Sequence, residues 1–347
     1  MRRSYEVGVR LCCSLVFGIV FLAAARPSDG QSDAGRTLAS FKKLDDHPLY
    51  VMRYYGDYGF SEYLKRGVRP NLDAGPAGRT GAASWACSCF AMRTRDGRVL
   101  VGRNFDWLEH AALLLFTAPP KAFASVSMVD ISYLGFDRGS PSKKDMRQLL
   151  QAPFLPFDGL NERGLAVTMM AVPHSEGGRD PKKVTIDSLG IIRLILDYAD
   201  GVDKAIELLA DYNVDFGGGP PIHYLVADAS GNSAVIEFLD DKMRVMRGDG
   251  SFQVSTNFLL FPEPPRIGRT GCWRYNRVFE ALSRAKGDFS AEEGMDLLRS
   301  VSQTGDHPTI WSLVYDLSAR DVRVVMGRNY ARVHQLNLSS PGGVAQR

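Results

Sequence analysis

The chain has 347 residues, 45% of them hydrophobic and 23% charged, with a formal net charge of +3. These are ordinary globular values, enough for one large domain or two small ones with a core of enzyme size. So small a charge excess, carried by scattered Arg and Lys, excludes a basic nucleic-acid-binding surface and reads as a solvated exterior.

Arg2, Arg3 and Arg10 precede an apolar run over residues 11–25, and Ala23-Ala24-Ala25 offers a small-residue cleavage site. Residues 1–25 therefore read as an export signal, too short for a comfortable membrane span. The expected location is periplasmic or secreted, with a membrane role only if the signal stays uncleaved. Signal removal leaves Cys87, Cys89 and Cys272, an odd number, so at least one thiol is free. Cys87 and Cys89 are badly placed to bridge within one strand. The histidines are scattered, and neither His-x-x-x-His nor Cys-x-x-Cys occurs, so neither a metal nor a cofactor is expected.

Residues 37–46 suit a short helix. Residues 50–64 are dense in aromatics (Tyr54, Tyr55, Tyr58, Phe60, Tyr63), with Gly56-Asp57 as a turn. Residues 69–84 are rich in Gly, Pro and Ala and read as an exposed loop, a good place for a cut just before Cys87. Residues 26–86 thus read as a pro-segment or small subunit. Strands are expected over 90–94, 99–102, 113–117, 124–133 and 165–172, then helices over 186–199 and 202–212. Strands resume over 223–228, 234–238 and 242–247. Helices follow over 273–286 and from Ser290, where Ser290-Ala291-Glu292-Glu293 reads as a capping box. Strands over 309–316 and 321–326 close the pattern, and residues 339–347 read as a disordered tail. Antiparallel hairpins with grouped helices make the chain α+β.

Chemistry concentrates in Cys87-Ser88-Cys89-Phe90, the Asp96-Gly97 turn and Gly102-Arg103-Asn104-Phe105-Asp106-Trp107. Two strands joined by a two-residue turn would return Arg103 and Asp106 toward Cys87. A thiol, a fixed cation and a carboxylate in one site can support nucleophilic catalysis. Asn104 would point to the opposite face, and Cys89 would pack inward. His174, His223 and His307 read as loop or packing residues.

The spacing of ten, sixteen and nineteen residues from Cys87 to Gly97, Arg103 and Asp106 resembles the N-terminal-nucleophile (Ntn) amidases that use cysteine. These include choloylglycine hydrolases, penicillin V acylases, acid ceramidase and the penicillin acyltransferase. The resemblance implies a four-layer α-β-β-α sandwich over residues 87–338. It also implies a cut before Cys87 that frees an α-amine to serve as base, with Asp106 holding that amine and Arg103 favouring the thiolate. Gly159-Leu160-Asn161-Glu162-Arg163-Gly164-Leu165 resembles the family's Gly-x-Asn-Glu-x-Gly-Leu segment, which implies Asn161 at the oxyanion site. Ser255-Thr256-Asn257-Phe258 resembles a Thr-Asn segment whose amide donates to the oxyanion. Cys272-Trp273-Arg274-Tyr275-Asn276-Arg277 loosely resembles a helix start that supplies an active-site arginine, with Arg274 fitting better than Arg277; bulky Trp273 replaces the usual small residue. Residues 309–317 resemble the family's late core strand. The implied activity is hydrolysis of non-peptide linear N-acyl amides of small molecules through a Cys87 thioester. The alternatives are acyl transfer at the same site, a non-catalytic binding or scaffold protein, and a membrane-anchored interaction protein. Oligomeric state and substrate identity are not legible.

Overall fold

The computed structural model describes residues 32–67, 86–136, 146–217, 219–261, 271–339 and 345–346, all within one compact unit. The export signal, the loop over 69–84 and most of the tail beyond Ser339 lie outside the described residues.

The N-terminal part opens with α1 (Asp33–Ala39), capped by the Ser32 side chain, which accepts from the Gly35 N–H at 3.2 Å. The helix expected over 37–46 stops at Ala39. The Ser40 hydroxyl donates to Thr37 O at 2.6 Å and accepts from the Arg53 N–H at 2.9 Å, which turns the chain into a hairpin of β1 (Lys42–Asp45) and β2 (Leu49–Tyr54). Next comes α2 (Phe60–Arg66).

Beyond residue 85 come β3 (Ala86–Arg93), β4 (Val99–Asp106), β5 (Ala112–Thr117), β6 (Ser125–Asp130), β7 (Pro156–Asn161) and β8 (Leu165–Ala171). Two 3₁₀ segments, Ile131–Leu134 and Met146–Phe154, lie between β6 and β7. Short β9 (Val184–Asp187) leads into α3 (Ser188–Tyr198), then α4 (Val202–Leu209) and β10 (Tyr212–Asp215). The chain continues through β11 (Ile222–Asp228), β12 (Ser233–Leu239), β13 (Lys242–Arg247) and β14 (Phe252–Ser255) to α5 (Trp273–Ala285) and α6 (Ala291–Ser300). It ends in β15 (Thr309–Asp316), β16 (Asp321–Met326), β17 (His334–Asn337) and β18 (Ala345–Gln346). The capping box at Ser290 forms, with Glu293 returning its side chain to the Ser290 N–H.

Two sheets result. One has nine strands in the order β1-β2-β5-β6-β7-β8-β11-β12-β13, and the other has seven in the order β14-β3-β4-β15-β16-β17-β18. Helices α3 and α4 cover the first; α5 and α6 cover the second. This is the four-layer α-β-β-α sandwich. Its two inner faces meet through buried rings: Phe105 on β4 stacks on Trp311 of β15 at 4.1 Å and meets Phe157 of β7 edge-on at 5.4 Å. Burying each such ring contributes roughly 2–3 kcal/mol.

The β3–β4 hairpin turns through residues 94–98 rather than through two residues. The Thr94 N–H donates to Arg98 O at 2.8 Å, and Gly97 takes φ +83°, which a side chain would strain. Opposite Phe90, a Cβ at Gly102 would meet that ring at 2.2 Å, so only glycine lets the ring lie across the hairpin.

Candidate active site

Strand register sorts the hairpin residues before any side chain is considered. Cys87 pairs with Phe105 and Cys89 with Arg103, so these four face the sandwich interior; Ser88 pairs with Asn104 and Ala86 with Asp106, and these face the α5–α6 side. Asn104 bonds accordingly to Leu298 O of α6 at 2.8 Å. Arg103 and Asp106 thus reach Cys87 from opposite faces.

Arg103 is fully buried and places Nη2 3.9 Å from the Cys87 Sγ. Its Nη1 pairs with Asp158 of β7 at 2.7 Å, and the Tyr315 hydroxyl donates to the other oxygen of that carboxylate at 2.7 Å. The guanidinium is therefore fixed from both sheets. Burial pushes the Cys87 thiol up, and Arg103 pulls against this without reversing it. Cys89, deeper in the same face, is pushed up to about 12 by burial.

The main-chain groups of Cys87 are held as firmly as its thiol. Its N–H donates to Asn257 Oδ1 at 2.6 Å, and its carbonyl accepts from Arg274 Nη1 at 2.8 Å. Arg274 Nη1 also meets Asp106 Oδ2 at 3.1 Å, while Nη2 donates to Asn257 Oδ1 at 3.0 Å. Asp106 further accepts from Gln303 Nε2 at 2.9 Å and from the Thr309 hydroxyl at 2.5 Å. Burial raises its pKa to about 6, with Thr309, Arg274 and Gln303 limiting the shift. The Asn257 Nδ2 donates to Ala171 O at 2.8 Å, where β8 ends.

Five of the six expected residues therefore meet at one end of the sandwich: Cys87, Arg103, Asp106, Asn257 and Arg274. Asn161 does not join them. Its Nδ2 donates to Leu196 O and Ala199 O at 3.1 and 2.8 Å, and its Oδ1 accepts from the N–H groups of Arg163 and Leu165 at 3.0 and 3.1 Å. Both donors and both acceptor sites of the amide are occupied, so nothing remains for an oxyanion. Arg277 bonds Ser300 Oγ at 2.9 Å on the surface, away from the cluster, and Trp273 is 53% exposed, so its bulk leaves the helix start undisturbed. Asp158, Gln303 and Thr309 escaped the sequence reading. Asp158 alone carried a signal, lying in the same short segment as Asn161. Among the described residues no His, Cys, Asp and Glu group forms a metal site.

The profile of the linear amide C–N hydrolases, choloylglycine hydrolase family, matches residues 87–261, just over half of the chain. The chain belongs to this family. An uncharacterized protein of Paramecium bursaria Chlorella virus 1 is 25% identical over 239 residues, 64% of this chain and 76% of the viral one. Two solved structures share the fold. A mutant of conjugated bile acid hydrolase from Clostridium perfringens is 17% identical over 75% of this chain and 95% of its own, with a TM-score of 0.55. Penicillin V acylase from Agrobacterium tumefaciens is 19% identical over 73% and 87%, also with a TM-score of 0.55. The family thus gives the chemistry class, hydrolysis of linear C–N amide bonds in small molecules.

Proposed function

We propose that the protein is an exported cysteine amidase that cuts its own chain before Cys87 and then hydrolyses N-acyl amides through a Cys87 thioester. One observation carries this reading: the thiol, N–H and carbonyl of a single residue, Cys87, are each gripped by a different polar side chain, Arg103, Asn257 and Arg274. A packing cysteine needs no such set.

Self-cleavage begins with attack of the Cys87 Sγ on the Ala86 carbonyl carbon. The acyl group moves from nitrogen to sulfur, and water then hydrolyses the thioester to leave an Ala86 carboxylate, a free thiol and a free α-amine. An α-amine has a pKa of roughly 7.7–8.0, so near neutrality it can take the thiol proton. In the intact chain the nitrogen is an amide with no such capacity, and the thiol is buried and held protonated by its surroundings. The uncut protein is accordingly a resting form. In the cut enzyme, Cys87 attacks the substrate carbonyl, Asn257 donates to the oxyanion, and the α-ammonium protonates the leaving amine. Asp106 orients the α-amine through the Arg274 bridge. Water resolves the acyl-enzyme.

N-terminal sequencing of purified protein tests the scheme. Wild type should yield one chain starting at Cys87 and another starting after residue 25, and Cys87→Ala should stay uncut and inactive. Full activity with Ala86 still attached would overturn the α-amine mechanism. Transfer of the acyl group to an added amine in preference to water would make the enzyme an acyltransferase.

A further inference from the structure

Behind Asn257 lies a buried histidine–carboxylate pair that the scheme above does not use. His223 on β11 and Glu237 on β12 are cross-strand neighbours in the nine-stranded sheet, 0% and 2% exposed. His223 Nδ1 lies 3.0 Å from Glu237 Oε1, and His223 Nε2 lies 2.8 Å from Thr256 O, the carbonyl that precedes Asn257. Glu237 also accepts from the N–H of Leu260 at 2.7 Å and from that of Phe261 at 3.0 Å, one on each oxygen. The pair therefore holds the Asn257 loop at both of its ends, from the opposite sheet.

These partners differ in what they can give and take. A carbonyl can only accept, so Nε2 carries a proton. Glu237 accepts two backbone N–H groups and is ionised; burial works against its charge, but His223 and the two N–H groups hold it below the usual carboxylate range. Nδ1 faces that carboxylate at 3.0 Å. Ser255 Oγ lies 3.1 Å from Nε2 and completes the outline of a Ser-His-Glu triad. It is not a working one, because a nitrogen that already carries a proton cannot take another from serine.

We infer that His223 and Glu237 are positioning residues for Asn257: a buried histidine–carboxylate pair fixed in the nine-stranded sheet sets where the asparagine stands over Cys87. This rests on the catalytic reading of Cys87 and Asn257 given above. It accounts for a histidine and a carboxylate buried together behind Asn257. Replacing either side chain leaves a hydrogen-bonding group of the loop unmatched, and Asn257 shifts relative to the thiol.

A double-mutant cycle on the fully processed enzyme tests this. Glu237→Gln should lower kcat by roughly tenfold or more with KM nearly unchanged, and adding it to Asn257→Ala should cost little beyond Asn257→Ala alone. Independent, multiplying losses would overturn the inference, as would a wild-type kcat in Glu237→Gln. If Glu237→Gln fails to fold, His223→Gln carries the same cycle, because its amide keeps one donor for Thr256 O while losing the imidazole's contact with Glu237. Ser255→Ala should keep wild-type turnover; its inactivation would instead make the triad a nucleophilic site. An active Cys87→Ala would sink the catalytic reading itself, a result distinct from failure of the cycle.

Discussion

The turn after β7 and the connection after β14 each present an asparagine that a motif reading assigns to the oxyanion, yet the two side chains do different work. Asn161 has all four hydrogen-bonding positions filled by backbone groups, two of them where α3 ends. It is a rivet between a turn and a helix. Asn257 has its oxygen shared by the Cys87 N–H and Arg274, while its nitrogen meets Ala171 O and keeps one N–H without a partner among the described residues. The difference teaches that residual hydrogen-bonding capacity beside the proposed nucleophile, more than residue type or motif, separates an amide able to serve an oxyanion from one that only packs.

Exchanging each amide for a methyl group should separate them. The largest effect is expected at Asn257: Asn257→Ala should lower kcat by roughly 10²–10³, as for other oxyanion donors, with little change in thermal midpoint. A normal kcat would remove the role. Asn161→Ala should do the reverse. It strands two carbonyls and two N–H groups, so unfolding should become easier by about 2–4 kcal/mol in a denaturant titration, while the folded fraction turns over at nearly the wild-type rate. A large fall in kcat at an unchanged midpoint would restore Asn161 to the active site.

A smaller and more pointed effect concerns pH, which should reach only the Asn257 side. The Asp106 carboxyl titrates at about 6 in the folded protein against an ordinary 3.8. Between those values the folded state holds a proton that the unfolded state has released, so this group makes stability fall as pH rises from about 4 to about 6, by about 3 kcal/mol, and adds no slope above that. Turnover should rise over the same window, because ionised Asp106 is what anchors Arg274. Asp106→Asn should flatten both trends, measured as melting temperature and kcat at a series of pH values. An unchanged acid limb in Asp106→Asn would detach this carboxylate from the site.

Much of this was legible in the chain. The hairpin from Cys87 to Asp106, the turn at Gly97 and the capping box at Ser290 are local patterns, and local physics decides them. Arg274 was legible only through the loose resemblance of residues 272–277 to a helix start of the family. Short β7 and β14 were missed, since four to six residues carry too little periodicity to stand out. The expected helix over 37–46 failed because the Ser40 hydroxyl, on a backbone still in the helical region, bonds Thr37 O and the remote Arg53 N–H and closes the helix there. The fate of Asn161 depended on carbonyls at Leu196 and Ala199, and that of Asp106 on Gln303 and Thr309, nearly two hundred residues downstream. No spacing rule near the motif encodes such partners.

The segment before Cys87 is not an appendage. β2 runs parallel to β5 from Leu49 opposite Ala112 to Tyr54 opposite Thr117, the Tyr58 hydroxyl donates to Asp197 at 2.7 Å, and Asp45 pairs with His334 of β17. A cut before Cys87 would therefore change the molecularity of folding. The uncut chain assembles as one molecule, with β2 tethered near its place. Once cut, the same sheet can be rebuilt only by two chains finding each other, at a rate that falls with dilution. The proposed maturation at this position would make denaturation a one-way event at low concentration, and the lifetime of the cut enzyme would then be governed by how slowly it opens.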